Sequence, residues 1–342
     1  MPNRAIVVGI RQYAELPPNL EGPKNDAVMF YEWVTRHGGV KEADAKLILG
    51  DEPPPAAAVN AHPTEEALKY EFDCLEDEAV ANNGCAGDRL YLYLSGHGFG
   101  QSLSDGSLLM ANATMKRPRH HIPGSLWADH FFANGYFKEV VLFLDCCRER
   151  YNTAALNGPG GPVPVPPNGA RRFYAFATKY GKLAVEREID GVMHGVFTAT
   201  LMDALNGGAS EEDGRITGES LKAYLFENLR SFLSSTDLED QDVAKEPDLY
   251  CDPPEKRFVI ATVPPKKYSV TIPLPAGSET KPRQLIGELG GQKFVKIAEA
   301  AADGTLQWQP PPLLRGTYQL LLNGSSHVVT IKGRGAVDVT TS

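Results

Sequence analysis

Short apolar runs recur along the first 150 residues, and longer segments with helical spacing separate them. The runs lie at residues 5–10, 46–49, 90–94 and 140–144, and helices are predicted over residues 26–36, 64–80 and 125–134. Continuous apolar runs that alternate with helices are typical of a parallel sheet that is covered on both faces. The sequence therefore predicts an α/β fold with helices on both sides of the sheet.

Two further strand-like stretches extend this pattern. They lie at residues 173–178 and 258–261, and the helices predicted between them cover residues 195–205 and 218–232. Together with the first four runs they predict a mostly parallel, six-stranded sheet. The Gly- and Pro-rich stretch at residues 151–172 is too long for a simple turn, and such loops are usually functional or disordered.

The composition changes at the VPPKK segment of residues 263–267, where a linker is expected. Beyond it, apolar and polar residues alternate between turn signals such as NGSS, which is typical of β-hairpins. We therefore expect one domain over residues 1–262 and a small all-β, sandwich-like domain over residues 268–342.

Charge and cysteine content restrict the setting in which the chain acts. Its 342 residues carry a formal net charge of −9, whereas a sequence-independent nucleic-acid binder normally has a basic excess. The N-terminal residues lack the pattern of a secretory signal, and no stretch approaches the roughly 20 apolar residues of a membrane helix. The five cysteines are irregularly spaced and do not suggest a disulfide framework. These features predict a cytoplasmic protein with neither nucleic-acid nor membrane partners.

Two adjacent cysteines follow the apolar run at residues 140–144. Alternate side chains of a strand share a face, so Asp145 and Cys147 are expected to lie together and Cys146 on the opposite side. Cys147 is therefore the better candidate nucleophile. A thiol needs a partner that removes its proton, because the thiolate is the reactive species.

The SGHG motif of residues 95–98 supplies such a partner. His97 follows the run at residues 90–94, and its flanking glycines permit a sharp turn and the close approach of a substrate. Open α/β sheets build their sites at the carboxyl ends of their strands. His97 and Cys147 are therefore expected to lie at the same edge of the sheet.

Five motifs in the same order resemble those of caspase-like cysteine peptidases, in particular the metacaspase and bacterial orthocaspase branch. The resemblance covers residues 4–260 and includes the 50-residue spacing between His97 and Cys147. The motifs are AIVVGIRQY at the first strand, LEGPKNDA at residues 20–27, SGHG at 95–98, DCC at 145–147 and HGVFTATLMDAL at 194–205.

The resemblance implies a caspase-like fold and a Cys147–His97 dyad, with the backbone N–H groups of Gly98 and Cys147 holding the oxyanion. It also implies that Asp26, Asp145 and Ser95 line the pocket for the residue before the cleaved bond. Two carboxylates pair well with a guanidinium and poorly with an acidic side chain. We therefore expect cleavage after Arg, with Lys second.

The chain departs from the family pattern after the nucleophile, where Arg148-Glu149-Arg150 replaces the usual His-Ser-Gly. Pro23 stands where many relatives have a cysteine. No aspartate occurs between Asp145 and Asp190, so one acidic ligand of calcium-dependent relatives is missing and no calcium dependence is expected. Relatives also cleave themselves on a basic loop, and the candidate positions for this are Arg148, Arg150, Arg171 and Arg172.

Each candidate residue also has a plainer interpretation. Cys147 alone could be a buried structural cysteine and His97 a loop histidine, Asp26 could be the N-cap of the helix beginning AVMFYEWV, and Asp145 could be a solvated strand end. The pair His120-His121 lies in a basic stretch without acidic or thiol ligands at a set spacing, so no metal site is predicted.

The sequence favours a regulated cysteine endopeptidase with basic protein or peptide substrates, acting as an effector in a prokaryotic signalling or defence pathway with a possible activator. Two alternatives stay open. One is an inactive caspase-like scaffold whose β domain binds a partner, as the altered DCCRER stretch would suit. The other is a separase-like or gingipain-like peptidase.

Overall fold

A six-stranded sheet forms the centre of the larger part of the molecule. The computed structural model describes residues 1–16, 18–150, 158–160, 164–252, 258–289, 292–323 and 325–341. We label the strands of the central sheet β1 (Arg4–Gly9), β2 (Ala45–Leu49), β3 (Gly87–Ser95), β4 (Phe137–Asp145), β5 (Arg171–Phe176) and β6 (Asp248–Asp252). Their order is β2-β1-β3-β4-β5-β6; β1 to β5 are parallel and β6 is antiparallel.

Helices cover both faces of this sheet. They are α1 (Gly22–Arg36), α2 (Glu65–Ala81), α3 (Gly124–Ala133), α4 (Val196–Asp203), α5 (Gly218–Asn228) and α6 (Ser235–Glu239). Because alternate side chains of a strand point to opposite faces, Tyr91 and Tyr93 of β3 pack with α1, α4 and α5, whereas Leu92 and Leu94 pack with α2 and α3. The continuous apolar runs are thus strands that are buried on both sides.

The sixth strand is not the one that the sequence predicted. Residues 258–261 contribute to the strand Val259–Thr262, which pairs with Arg215–Thr217 outside the central sheet. The central sheet is instead completed by β6, which pairs antiparallel with β5. This strand has no continuous apolar run, because it is an edge strand with side chains half exposed.

Two small β-structures lie near the carboxyl edge of the central sheet. A four-stranded sheet, in the order His121–Pro123, Ser107–Leu109, Gly98–Gly100 and Glu149–Arg150, joins the segments that follow β3 and β4. An antiparallel hairpin pairs Glu186–Ile189 with Val192–Gly195, and we call it the pocket hairpin. Residues 151–157 and 161–163 of the long Gly- and Pro-rich loop lie outside the described residues.

The C-terminal region is a five-stranded antiparallel sheet. Its strands, in spatial order, are Gln292–Ala300, Arg283–Leu289, Gly316–Leu322, Ser325–Ile331 and Val337–Thr341. Two short ladders, Lys267–Tyr268 with Leu313–Leu314 and Ile272–Pro273 with Gln307–Trp308, accompany it. The hairpin predicted at NGSS joins two of the strands, although Gly324 lies outside the described residues. This region and the six-stranded sheet confirm the predicted fold class.

The C-terminal sheet has its own hydrophobic cluster, which is drawn from residues 268–339. It packs on α5 of the larger part. The hydroxyls of Tyr224 and Tyr268 are 3.5 Å apart, and Arg315 forms an ion pair with Glu227 at 2.8 Å.

Candidate active site

The register of two central strands places the strand ends that precede His97 and Cys147 next to each other. Ser95, the last residue of β3, pairs with Asp145, the last residue of β4, and the Gly96 N–H donates to the Asp145 carbonyl at 3.2 Å. His97 and Cys147 each lie two residues beyond this pair. Neighbouring strands are about 4.8 Å apart, so the two backbones meet at the same edge of the sheet.

His97 is oriented by contacts on both sides of its ring. Its Nε2 lies 2.8 Å from the carbonyl oxygen of Pro18, which can only accept a hydrogen bond. Nε2 therefore carries the hydrogen, and Nδ1 is the basic nitrogen. The ring of Tyr13 packs against the His97 ring at an angle of 51°, with 4.9 Å between the centroids, and the Tyr13 hydroxyl accepts from the His97 N–H at 3.0 Å. Burial lowers the pKa of His97, so the neutral imidazole predominates at neutral pH.

The Cys147 thiol is not yet activated in this conformation. Its Sγ donates a hydrogen bond to the carbonyl oxygen of Ala184 at 3.7 Å, and the His97 ring likewise donates to the carbonyl oxygen of Pro18. Burial raises the pKa of Cys147 to about 11, and the negative charges of Glu149 and Asp145 add to this. The Cys147 thiol and the His97 imidazole are therefore both neutral in this structure.

Cys146 lies on the opposite face from Asp145 and belongs to the hydrophobic cluster of α2 and α3. It is 2% exposed, and burial raises its pKa well above the ordinary value. Its Sγ packs against Gly98, where any side chain would clash with the sulfur. Cys146 thus has the environment of a core residue.

Asp26 is fully buried in the fifth position of α1. Its Oδ1 lies 2.6 Å from His194 Nδ1, and its Oδ2 accepts from the Gly195 N–H at 2.8 Å. Burial raises its pKa to about 6, although both of these hydrogen bonds oppose the shift. The N-cap interpretation is wrong, because the helix begins at Gly22 and Glu21 precedes it as N-cap.

Asp145 is held by the first turn of α4. Its Oδ2 accepts from the backbone N–H and the hydroxyl of Thr198, at 3.1 Å and 2.6 Å. Burial raises its pKa to about 7, and repulsion from Asp26 adds to the shift. Both carboxylates lie close to the Cα of Gly195. A side chain at this position would clash with Asp145 and press on Asp26. Ser95 is buried next to them, at 2% exposure.

Several residues of this site were not predicted. Glu186 of the pocket hairpin accepts from the N–H groups of Glu21 and Gly22 at 3.0 Å and 2.9 Å, and its charge raises the pKa of both pocket aspartates. His194 is the first residue of the HGVFTATLMDAL motif, but the motif does not indicate its contact with Asp26. Pro18 and Ala184 act through carbonyl groups, which every residue has, so no sequence signal marks them.

The four candidate autocleavage positions differ in their surroundings. Arg148 is fully buried; its guanidinium donates to four backbone carbonyls and to Asp248 and stacks on Phe176 at 4.5 Å. Arg171 and Arg172 lie in β5 and pair with Glu139 and Asp129. Arg150 alone among the four is exposed, with its side chain over the ring of Tyr180. Burial and pairing thus argue against cleavage of the folded chain at Arg148, Arg171 or Arg172.

The parallel sheet, with a histidine and a cysteine at its carboxyl edge, defines an α/β protein of caspase-like architecture. The chain matches the caspase-domain model of peptidase family C14 over residues 2–259, so it belongs to this family. A curated relative, a probable protease of a Desulfuromonadales bacterium, is 26% identical over 315 residues. The match covers 85% of this chain and 38% of the relative, so the chain spans well under half of that protein's length.

None of the helices in the described residues combines the length and the apolar composition that crossing a bilayer requires. Within the same residues, no group of three or more His, Cys, Asp and Glu side chains is arranged to hold a metal ion.

Proposed function

We propose that this protein is a cysteine endopeptidase that cleaves after Arg, and less efficiently after Lys, with Cys147 as nucleophile and His97 as base. The observation that supports the proposal is the pairing of Ser95 with Asp145, since the two strand ends that precede His97 and Cys147 are then neighbours in the sheet. Membership of the caspase-domain family supports the same reaction.

The reaction begins when the thiol leaves the Ala184 carbonyl and gives its proton to Nδ1 of His97. The sulfur attacks the scissile carbonyl carbon, and the resulting oxyanion accepts from the N–H groups of Gly98 and Cys147. The C–N bond breaks as the imidazolium protonates the leaving amine. Water, deprotonated by His97, then releases the acid product and regenerates the thiol.

Specificity follows from the buried aspartates. Their raised pKa values show that each charge is costly without a cationic partner, and an arginine side chain supplies that partner. A planar guanidinium offers more donors to two carboxylates than an ammonium does, so Arg is favoured over Lys. An acidic side chain would add a third negative charge and is rejected.

The test is hydrolysis of matched fluorogenic peptides that differ only in Arg, Lys or Asp before the bond, with and without calcium. We expect cleavage of the Arg peptide, weaker cleavage of the Lys peptide and no calcium requirement. Cys147→Ala is expected to abolish activity, whereas the matched control Cys146→Ala retains it. Activity that survives in Cys147→Ala would contradict the assignment.

A second candidate is an inactive scaffold that uses the C-terminal β region to bind a partner. The observation that favours it is the Cys147 thiol itself, which is bonded to Ala184 and has a pKa of about 11. A scaffold would hydrolyse none of the peptides at any pH, and the substitution Cys147→Ala would leave its affinity for the partner unchanged.

We also infer that the peptidase acts in the cytoplasm as a regulated effector of prokaryotic signalling or defence, with an activator that switches it on. If it processes itself on the long loop, Arg150 is the site we propose. Purified wild-type protein would then yield two fragments with a break after Arg150, and Arg150→Gln would not. A Cys147→Ala protein that still split there would show that another protease is responsible.

A further inference from the structure

A cavity of about 520 Å³ lies between the larger domain and the C-terminal β domain. Its walls come from α1, the pocket hairpin, α4, the segment before α6 and the start and end of the β domain. The apolar lining consists of Met29, Ile189, Val192, Ala199, Met202 and Phe232. The rest of the lining is polar or charged, and a concave site of this volume that combines apolar surface with polar groups is a candidate small-ligand site.

A cation from the β domain contributes to the cavity. Arg334 lies in a tight Gly333-Arg334-Gly335 turn with a φ of +58°, a backbone region that residues other than glycine seldom adopt. Gly333 is wedged against Tyr224 and Asn228, where a side chain would clash with both. The guanidinium of Arg334 stacks over Phe232 at 4.4 Å. The turn thus places an exposed guanidinium at the cavity rim, on a backbone with an unfavourable φ.

Two charged residues of the lining pair with each other, and two others do not pair with any described residue. Lys266 forms an ion pair with Asp203 at 2.5 Å, and Asp203 also accepts from the Tyr224 hydroxyl. Within the described part of the chain, Arg334 and Asp190 form no ion pair, either with each other or with another residue. Among the described residues, the lining therefore offers one unpaired cation, Arg334 of the β domain, and one unpaired anion, Asp190 of the larger domain, together with apolar walls.

His194 connects this cavity to the carboxylate pocket. Its Nδ1 binds Asp26, while the ring forms part of the cavity wall. Glu186 and Asp145 are the other charged groups that influence Asp26 from the hairpin and from β4. A ligand in the cavity thus reaches the substrate pocket through a single side chain.

We propose that this junction cavity binds a short apolar peptide with free termini, whose carboxylate pairs with Arg334 and whose ammonium pairs with Asp190. The bound peptide bridges the two domains and acts on Asp26 through His194. The link to substrate binding rests on the proposed peptidase function, whereas the binding itself does not.

The experiment uses the full chain with ¹³C-labelled methionine methyl groups and the dipeptide Leu-Leu as probe. Met29 and Met202 line the cavity, and Met110, which is fully buried in the other hydrophobic cluster, is an internal control. We expect Leu-Leu to shift the signals of Met29 and Met202 in a saturable way and to leave Met110 unchanged. This readout requires no peptidase activity.

Matched probes and variants assign each end of the ligand. Arg334→Gln is expected to weaken Leu-Leu at least about tenfold but to leave Leu-Leu-amide unaffected, because that probe has no carboxylate. Asp190→Asn is expected to weaken Leu-Leu but not N-acetyl-Leu-Leu. Arg36→Gln, on the exposed end of α1, is the control and should change neither probe.

Two results would overturn the site: no shift of Met29 or Met202 at millimolar Leu-Leu, or equal binding of all three probes to every variant. A saturable shift without any change in the Michaelis constant for Arg peptides would contradict the coupling through His194. A protein that binds Leu-Leu but cleaves no peptide would leave the site standing and refute the proposed function.

Discussion

The two halves of the candidate active site differ in how completely they are assembled. In the carboxylate pocket, Asp26 and Asp145 are buried and each accepts two hydrogen bonds from fixed donors. At the catalytic edge, His97 and Cys147 bond to separate backbone carbonyls. The two carboxylates are therefore held by fixed donors, whereas the Cys147 thiol must give up its hydrogen bond to Ala184 before it can take the proposed role of nucleophile.

Among variants that keep both Cys147 and His97, the largest expected effect comes from changing one of the two buried carboxylates. Asp145→Asn removes one of the two pocket charges while keeping the shape, and we expect the specificity constant for the Arg peptide to fall about 100-fold. The measurement is kcat/KM with the Arg peptide. Asp129→Asn, a variant of an aspartate on α3 that pairs with Arg172, is the matched control. Alkylation of Cys147 by iodoacetamide should be at least as fast in Asp145→Asn, because the lost charge no longer raises the pKa of Cys147; slower alkylation would point to a damaged fold.

The sequence could predict the parts of this site that follow from strand periodicity. The alternation of side chains separated Cys146, which is buried in the core, from Asp145 on the opposite face. The common edge of parallel strands correctly indicated that the strand ends before His97 and Cys147 are neighbours. The pocket hairpin could not be predicted, because Glu186 and His194 reach Asp26 only through long-range contacts.

The sixth strand shows the same limit in the fold. The apolar run at residues 258–261 has the pattern of a buried strand, and it is buried, but beneath α5 rather than in the central sheet. The half-exposed β6 has no such pattern, and only its pairing with β5 reveals it. Periodicity indicates burial, whereas the pairing partner depends on the whole chain.

The second prediction concerns the stability cost of the buried carboxylates. The pKa values of Asp26 and Asp145, about 6 and about 7, lie above the ordinary 3.8. At pH values between the ordinary pKa and the raised pKa, the folded protein binds more protons than the unfolded chain. The free energy of unfolding therefore falls as the pH rises from about 4 to about 7. Asp145→Asn should therefore exceed wild type by on the order of 2 kcal/mol at pH 8, and by much less at pH 4.

Urea unfolding of both proteins at the two pH values measures this difference, with Asp129→Asn as the control. The same stability gain at pH 4 and pH 8 would mean that ionisation of Asp145 is not its cause.

A smaller effect should follow from His194→Gln, which weakens the support of the Asp26 charge. Loss of the histidine raises the pKa of Asp26 further, so kcat/KM for the Arg peptide should fall about tenfold near pH 6 and recover towards pH 8. His130→Gln, at a histidine on α3, serves as control. A loss that is equal at every pH would indicate a structural role for His194 instead.

The smallest effect is expected at the catalytic edge. Tyr13→Phe keeps the ring that packs against His97 but removes the acceptor of the His97 backbone N–H, so kcat should fall about threefold with KM unchanged. Steady-state kinetics with the Arg peptide measure it. A rise in KM without a change in kcat would place Tyr13 in substrate binding.

The central claim is that Cys147 reacts with a substrate whose basic side chain occupies the pocket of Asp26 and Asp145. Its most direct test is to treat the protein with two peptidyl chloromethyl ketones that differ only in Arg or Asp at the reactive end, and to map the adducts by mass spectrometry. We predict one adduct per chain, on Cys147, with the Arg reagent alone. An adduct on Cys146, or equal labelling by the Asp reagent, would contradict the account.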